Sequence, residues 1–386
     1  MSKLLRNKEE ILLLLLIFLL ALGQLQRLPF PWGAQYAHEL ALLLYLFTCR
    51  QRYAKILFTS WKNLTTNSKI LTILTVSGVL LHELTTTDQR ALLLSVRAFL
   101  YGSAAWVVYQ SATDKLKLRL RFFLLASGVG MAIIGSLQYL FLPDTRFLQI
   151  LGWDDHYYRA IGSMLDPNYL GIILLLTLAN LWTWTKKLRP EIILAGTLVL
   201  SMTIAATFSR ASFLATAVFL ASQAVSKRLL VVLTTLVLIL TIVVLPKPTG
   251  EGVNLLRSST ITSRIDNDKA IIQTQKQPMK VLFGTGLFSS TRQTTLENKS
   301  MDHGLQANNI FIFLYQSIGV VGMLLLAPAL VKGIRSIYKK EPIIAYALAA
   351  IFIHAQFNNT FFEPIVFSYW VLTSASLSRQ QNDQHV

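Results

Sequence analysis

Arg210 is the residue whose place in the sequence most strongly indicates chemistry. An apolar run ends at Phe208, and Ser209-Arg210-Ala211-Ser212 follows before a second apolar run begins at Phe213. An arginine inside apolar sequence is costly unless it reaches water, an anion or a partner, which makes it a candidate functional residue. The alternative is an arginine that extends to lipid headgroups. We expect Arg210 to bind an anionic group.

Two further positions place polar groups inside apolar sequence. Arg97 lies about two turns inside a predicted helix, where Glu39 or Glu83 could approach it from neighbouring helices. Asp166-Pro167-Asn168 opens another long apolar stretch and follows Arg159. Proline near a helix start and asparagine in a first turn are also ordinary capping residues, so capping is the structural alternative for this segment.

A long polar segment, residues 246–306, carries a third arginine. Ser263-Arg264-Ile265 precedes a predicted helix from Asp266 to Gln275. His303 lies near the end of the segment, and Asn308-Asn309 follows before the next apolar run. Arginine offers a planar set of donors to phosphate, and histidine can remove a proton from a hydroxyl group. The segment therefore contains residue types suited to both tasks.

Two glycine motifs flank the end of this segment. Phe283-Gly284-Thr285-Gly286 permits a turn with positive φ or a close approach of two backbones, and it lacks the strand context and spacing of a nucleotide site. Gly319-Val320-Val321-Gly322 permits tight helix packing. No HExxH, CxxC, GxSxG or Walker motif occurs. We therefore expect no metal, no nucleotide and no other cofactor.

The composition indicates which elements must position these residues. Of 386 residues, 53% are hydrophobic and 14% are charged, with a mean hydropathy of +0.50, whereas a soluble domain has about a quarter charged residues. The apolar residues are grouped in runs near bilayer length. We predict a single all-α membrane domain, residues 1–386, folded as a polytopic helical bundle. About twelve transmembrane helices are predicted, at 11–27, 34–48, 70–84, 90–109, 120–141, 161–184, 190–207, 210–225, 228–245, 307–331, 343–357 and 362–377.

The distribution of basic residues predicts the orientation of the chain. With the N-terminus inside, 22 Lys and Arg residues lie in cytoplasmic segments and 5 in the short external connections, as the positive-inside rule requires. Both termini are then cytoplasmic, and residues 246–306 form a large extracytoplasmic loop with short helices. The net charge of +17 reflects this bias, so we expect membrane lipid and no nucleic acid as a partner. The first apolar run resembles a signal peptide, but without a small-x-small cleavage pattern we expect it to be retained.

Polar residues gather at the predicted outer ends of the spans. Polar residues concentrate at membrane interfaces in general, which is the alternative explanation, but the inner ends carry almost no histidine. We interpret the pattern as a polar site on the outer face. The residues concerned are His38, His82, His156, His303, His354, Glu39, Glu83, Asp88, Asp154, Asp155, Asp166 and Glu363.

Four segments, taken in order, resemble the O-antigen ligase and polymerase superfamily, the membrane glycosyltransferases of bacterial surface-polysaccharide assembly. Arg159 to Gly171 (RAIGSMLDPNYLG) looks like the element before a helix in that family. Thr207 to Ala215 (TFSRASFLA) is similar to its Ser-Arg-Gly turn, with Ala211 in place of the glycine. Ser263 to Phe288 follows the family's loop pattern, and Asn308 to Gly322 is similar to the start of its next helix.

The resemblance covers roughly residues 155–330 and contains one departure. Asn308 occupies the position at which the family has a histidine. Either His303, five residues earlier, replaces that histidine, or the chemistry does not use a base at this position.

The resemblance implies a membrane glycosyltransferase of the bacterial plasma membrane whose donor is a glycan on undecaprenyl diphosphate. Arg210 and Arg264 would hold the diphosphate and stabilise the leaving group, and His303 would take the proton of the acceptor. Arg159 or Arg97 would support them, and Asn168, Asn308 and Asn309 would bind substrate. The acceptor would be a lipid, a glycan or a protein.

Several alternatives remain open from sequence alone. A polymerase that joins repeat units and a protein-directed O-glycosyltransferase would share the donor with a ligase. From other classes, a secondary transporter or a flippase fits the number of spans. Transporters commonly show internal repeats and polar residues at the membrane midplane, and neither is evident here. A non-catalytic scaffold is the remaining alternative.

Overall fold

The computed structural model describes residues 3–30, 34–86, 89–246, 248, 252–255, 259–288 and 307–377. Helices dominate this part of the chain, which confirms the predicted all-α class. One short antiparallel pair, β1 (Arg27–Leu28) and β2 (Gln35–Tyr36), is also present. The helices are α1 (Lys3–Ala21), α2 (Ala37–Thr48), α3 (Arg50–Asn63), α4 (Thr66–Thr86), α5 (Gln89–Ser111), α6 (Asp114–Phe141), α7 (Pro167–Trp182), α8 (Pro190–Ala206), α9 (Arg210–Gln223), α10 (Arg228–Val244), α11 (Ser259–Thr274), α12 (Pro278–Phe283), α13 (Ile310–Lys340), α14 (Pro342–His354) and α15 (Pro364–Ala375).

Helix α7 occupies the centre of the bundle. Every residue from Leu170 to Trp182 is buried, because α6, α8, α9, α14 and α15 all pack against this helix. A helix that is apolar on every face needs such an environment. The few polar atoms inside it are paired, as in the contact of 2.9 Å between Thr177 Oγ1 and Tyr369 Oη. The surrounding helices therefore hold the N-terminus of α7 in a fixed place.

Three helices in the described part of the chain are long and apolar enough to cross a membrane. They are Ala91–Ser111 within α5, Asp114–Phe141 and Ile310–Lys340. Six other apolar helices contain 10–17 residues, and at a rise of about 1.5 Å per residue the longest of these extends only about 26 Å. The full set of about twelve spans therefore stays a prediction.

Two segments differ from the predicted secondary structure. The basic segment after α2 forms a helix, α3, that has no buried residue. Helix α11 begins at Ser259 rather than at the predicted Asp266. Its first turns contain Ile261 and Thr262, whose branched side chains lower helix propensity, and the folded chain overrides that local preference. As a result Arg264 lies inside the helix.

Polar contacts at the ends of the helices fall into two sets. The first joins segments that were predicted to be cytoplasmic: Arg52 with Glu9, Arg119 with Glu10, and Arg121 with Glu341. The second joins the outer parts of predicted spans: Arg97 with Glu39, Gln24 with Glu363, and Ser163 with the carbonyl group of Ala21. This arrangement is the one expected for helices that alternate in direction along the chain.

A break in α13 receives the segment that follows α12. Gly319 has a φ of 63° and a ψ of −174°, which are not helical values. The carbonyl groups of Gln316 and Ser317 lie just before the break. They accept hydrogen bonds from the backbone N–H groups of Thr285 and Gly286, at 2.8 Å and 3.0 Å.

Gly284 and Gly319 are both required by this contact. A Cβ atom on Gly284 would lie 2.5 Å from the carbonyl group of Ser317, and one on Gly319 would overlap the backbone of Leu282. Both residues combine a positive φ with a ψ near 180°, a conformation that is essentially restricted to glycine. The two glycine motifs thus form one backbone contact, in agreement with the packing interpretation of the second motif.

We predict that Gly319→Ala destabilises the protein, whereas Gly333→Ala in the same helix does not. In Gly319→Ala the added Cβ atom overlaps the backbone of Leu282. The alanine is also forced into a strained backbone conformation that costs about 1–3 kcal/mol. A Cβ atom on Gly333 meets no atom within 4 Å, and alanine favours a helix by about 0.5–1 kcal/mol. Thermal unfolding of the detergent-solubilised protein measures the difference. Equal midpoints for the two variants would contradict the assigned contact.

Candidate functional site

The N-terminal ends of α7 and α9 lie side by side. A Cβ atom on Gly171 would lie 2.7 Å from the Cβ atom of Ser212, so only glycine allows the two helices to approach this closely. Each helix has a side-chain cap, supplied by Asp166 for α7 and by Ser209 for α9. The caps occupy backbone N–H groups at both ends: Asp166 accepts from Asn168 and Tyr169, and Ser209 accepts from Ser212. Helix N-termini also carry partial positive charge. Two of them side by side form an electropositive surface.

A chain of hydrogen bonds connects these two ends to α14. Ser209 Oγ donates to Asn168 Oδ1 at 2.7 Å, and Ser212 Oγ donates to Ser209 Oγ at 2.9 Å. His354 Nε2 lies 3.4 Å from Ser212 Oγ, and Thr360 Oγ1 lies 3.1 Å from His354 Nδ1. Each hydroxyl group has one proton to donate. A neutral His354 with its proton on Nε2 therefore completes the chain.

The direction of this chain determines how the amide group of Asn168 can act. Its Oδ1 atom accepts from Ser209, which orients the amide group, and its amide nitrogen has two N–H groups that can donate. Asn168 is half-buried in the first turn of α7. It therefore presents N–H groups at a helix N-terminus, which suits an anion.

Arg159 holds the turn between α8 and α9. Its side chain is buried, and its Nε and Nη2 atoms donate to the carbonyl groups of Thr207 and Phe208, at 2.9 Å and 3.5 Å. Carbonyl groups at a helix C-terminus lack helical partners and carry partial negative charge, so a guanidinium group stabilises them. Phe208 has a φ of 48°, which shows how sharply the chain turns before Arg210.

His156 lies next to Arg159. It is 6% exposed, and burial lowers its pKa to about 4, with the charge of Arg159 acting in the same direction and the charges of Asp166, Asp154 and Asp155 opposing it. The imidazole is therefore neutral at pH 7.

Arg210 occupies the first position of α9 and reaches towards the predicted loop. Its Nη1 atom donates to the carbonyl group of Leu255 at 3.4 Å. The residue is only partly buried, so its guanidinium group lies at the boundary between the helices and the loop. This position suits a cation that meets a ligand from outside the bundle.

Arg264 approaches the same region from α11. Burial lowers the pKa of its guanidinium group, the charge of Asp166 opposes this shift, and the charge of Arg210 adds to it. The charges of Tyr169 and Asp268 oppose it as well. Two arginines that repel each other while partly desolvated gain from an anion placed between them. Arg210 and Arg264 thus lie close enough for their charges to interact.

Asp268 attaches α11 to the start of α13. Its Oδ1 atom accepts from the backbone N–H group of Asn308 at 2.8 Å, and its pKa is raised by burial, against the effect of hydrogen bonds from the backbone of Asn308 and Asn309. Asp268 lies one helical turn after Arg264, on the same face of α11. It therefore fixes the helix that carries Arg264.

The remaining predicted site residues have other roles. Asn309 caps α13, and its amide nitrogen donates to Gln356, so its side chain is used structurally. Asn308 contributes its backbone N–H group to Asp268. Arg97 is paired with Glu39 in a buried cluster, which makes it a structural cation rather than one available to substrate. His303 lies outside the described residues.

Ser212, Asp268 and His354 were not among the predicted site residues. Ser212 could have been recognised as the fourth residue of the Ser-Arg-Ala-Ser turn, because its backbone N–H group donates to the capping residue Ser209. Asp268 could have been recognised from its spacing of four from Arg264, but only if the helix had been predicted to begin earlier. For His354, the sequence held no signal beyond its position at a predicted outer end.

Two comparisons with known proteins return no match. No protein-family model matches the chain, and no curated protein matches it. The function is therefore inferred from the side chains and their geometry.

We predict that Asp268→Ala loosens the attachment of α11, whereas Asp266→Ala does not. A hydrogen bond to a charged acceptor contributes about 1.5–3 kcal/mol, so the amide of Asn308 should exchange with deuterium roughly 10 to 100 times faster in the first variant. Asp266 is largely exposed and lies 3.9 Å from Lys269, which makes it a matched control on the same helix. Hydrogen–deuterium exchange with mass spectrometry measures the effect. Unchanged exchange at Asn308 in Asp268→Ala would contradict the assignment.

Proposed function

We propose that this protein transfers a glycan from an undecaprenyl-diphosphate carrier to an acceptor hydroxyl group during the assembly of a bacterial surface polysaccharide. The observation that carries the proposal is the convergence of Arg210 and Arg264 beside two adjacent helix N-termini. This arrangement offers two guanidinium groups, the amide donor of Asn168 and the partial positive charge of two helix ends to one anion. A diphosphate at a membrane surface is an anion of that size and charge.

Arginine suits this task better than lysine. Its planar group donates to two phosphate oxygens at once and stays charged when it is partly desolvated. Arg210 comes from the helical bundle and Arg264 from α11, so each would meet the diphosphate from a different side. The order of the four sequence segments that resemble O-antigen ligases agrees with this use of both residues.

The reaction balances without a nucleotide. The acceptor oxygen forms a bond to the anomeric carbon, and the bond between that carbon and the diphosphate oxygen breaks. The electron pair leaves with the diphosphate, whose negative charge grows as the bond breaks and is stabilised by both arginines. The acceptor loses one proton, for which His303 is the base suggested by the resemblance.

We also propose an orientation in the membrane, from observations that are independent of the two arginines. About twelve spans place both termini in the cytoplasm and the Arg210 end of the bundle outside, in the bacterial plasma membrane. The excess of basic residues in one set of connections supports this orientation. The two separate sets of polar contacts at the helix ends also support it.

A polymerase of the same superfamily is a second candidate. The observation that favours it is Asn308, which stands in place of the histidine expected by resemblance to the ligases. The lengths of the glycans in a deletion strain separate the two functions. Long chains that remain on the carrier indicate a ligase, and a collapse to single repeat units indicates a polymerase.

We predict that Arg210→Ala and Arg264→Ala each reduce glycan transfer in membranes by about 100-fold or more, since the removal of one group that stabilises developing charge costs about 10²–10³ in rate. Arg264→Lys should recover only part of the activity, because lysine lacks the planar fork. Arg146→Ala is the matched control, since Arg146 is exposed and paired with Asp144 at 2.6 Å. It should transfer glycan at the wild-type rate.

Correct folding of each variant is checked by its thermal unfolding. Wild-type transfer by folded Arg210→Ala or Arg264→Ala protein would overturn the proposed function.

A further inference from the structure

Asp154, His156 and Asp166 form a cluster that the proposed glycan transfer does not use. One potential ligand atom of each residue, a carboxylate oxygen or an imidazole nitrogen, lies within 4.8 Å of the other two. The three residues come from two parts of the chain, the loop after α6 and the cap of α7. Three such atoms this close together can share one cation with little movement.

A second observation, at His156, points to a ligand. Its side chain is 6% exposed, and its Nε2 atom is buried without a hydrogen-bond partner among the described residues. A buried imidazole nitrogen without a partner is costly, and such groups call for an explanation such as an ion. The ring belongs to the same cluster as the two carboxylates.

The backbone around His156 is held in place. Its carbonyl group accepts from the backbone N–H and the side-chain hydroxyl of Thr145, both at 2.9 Å, and Asp144 pairs with Tyr157 in an isolated bridge. These contacts fix the backbone at His156, and burial of the side chain limits how far its ring can turn. A backbone that is held in this way before any ligand binds is a property of a built site.

Asp166 can serve its cap and a cation at the same time. Its Oδ1 atom accepts from the backbone N–H groups of Asn168 and Tyr169, at 2.6 Å and 3.0 Å. A carboxylate has two oxygens with several acceptor positions, so Oδ2 is left for a metal. The hydrogen bonds to Oδ1 would then orient the ligand, as outer-shell partners of metal sites commonly do.

We infer that Asp154, His156 and Asp166 bind a divalent transition-metal ion of the Mn²⁺ to Zn²⁺ series. A set of one imidazole and two carboxylates is typical of these ions, whereas Mg²⁺ and Ca²⁺ prefer oxygen ligands alone. The two carboxylates offset the neighbouring guanidinium groups of Arg159, which acts on His156, and of Arg264, which acts on Asp166. Water or a substrate oxygen would complete the coordination.

This inference goes beyond glycan transfer and does not require it. From the sequence we expected no metal, because no common metal-binding motif occurs, and the inferred site departs from that expectation. The spacing Asp-x-His, with a third ligand ten residues later at a helix cap, gives no recognisable pattern. Because Asp166 also acts electrostatically on Arg264, a cation held here would add positive charge close to the proposed diphosphate site.

The test is Mn²⁺ binding to the detergent-solubilised full-length protein. Electron paramagnetic resonance measures the loss of the free Mn²⁺ signal, and pulsed measurements detect the nitrogen of a coordinated imidazole. The wild type should bind one Mn²⁺ with a nitrogen signal. His156→Gln should lose that nitrogen signal. Asp154→Asn and Asp166→Asn should each weaken Mn²⁺ binding by about 100-fold or more, since the loss of a mere outer-shell partner already lowers metal affinity by about 10- to 100-fold.

Asp155→Asn is the matched control, because it removes the same charge next to the cluster without removing a proposed ligand. Asparagine is also a good helix cap, so Asp166→Asn should keep α7 intact. Wild-type protein that binds no Mn²⁺, or binds it without a nitrogen signal, would overturn the inference. Equal affinities for Asp155→Asn and the three ligand variants would overturn it too. Binding is measured without any transfer reaction, so this result is independent of the proposed function.

Discussion

The close approach of α7 and α9 is the constraint on which the rest of the site depends. Gly171 lets Ser212 come within contact distance, and this places the caps of the two helices side by side. Ser209 can then reach Asn168, and Arg210 stands at the first position of the second helix. A larger residue at position 171 would separate two partial positive charges that repel each other. The packing of the apolar core therefore provides the energy that holds an electropositive surface together.

The second arginine is brought to this surface by separate contacts. Asp268 ties α11 to the start of α13, and the break at Gly319 receives the segment after α12. The first contact joins the Asp268 carboxylate to the backbone N–H group of Asn308, and the second joins backbone N–H and carbonyl groups. Helix α13 therefore positions Arg264 indirectly, although it contributes no charged side chain to the site. Arg159 has the corresponding role for Arg210, because it stabilises the turn that presents that residue.

Much of the fold could be predicted from the sequence, because apolar runs and basic connections follow directly from the physics of a bilayer. The helical class and most helix positions agree with those runs. The start of α11 could not be predicted, since Ile261 and Thr262 disfavour a helix locally and tertiary packing decides the outcome. Arg210 was recognisable because an arginine between apolar runs needs an explanation. Arg97 attracted the same interpretation, with Glu39 or Glu83 as possible partners on neighbouring helices, and Glu39 is the one that pairs with it.

A structure of the protein with undecaprenyl diphosphate, determined by electron cryo-microscopy in lipid nanodiscs, tests the central claim most directly. Both phosphates are expected to lie between the guanidinium groups of Arg210 and Arg264, within hydrogen-bond distance of each, and next to the amide nitrogen of Asn168. A diphosphate bound elsewhere, or held by only one of the two arginines, would contradict it.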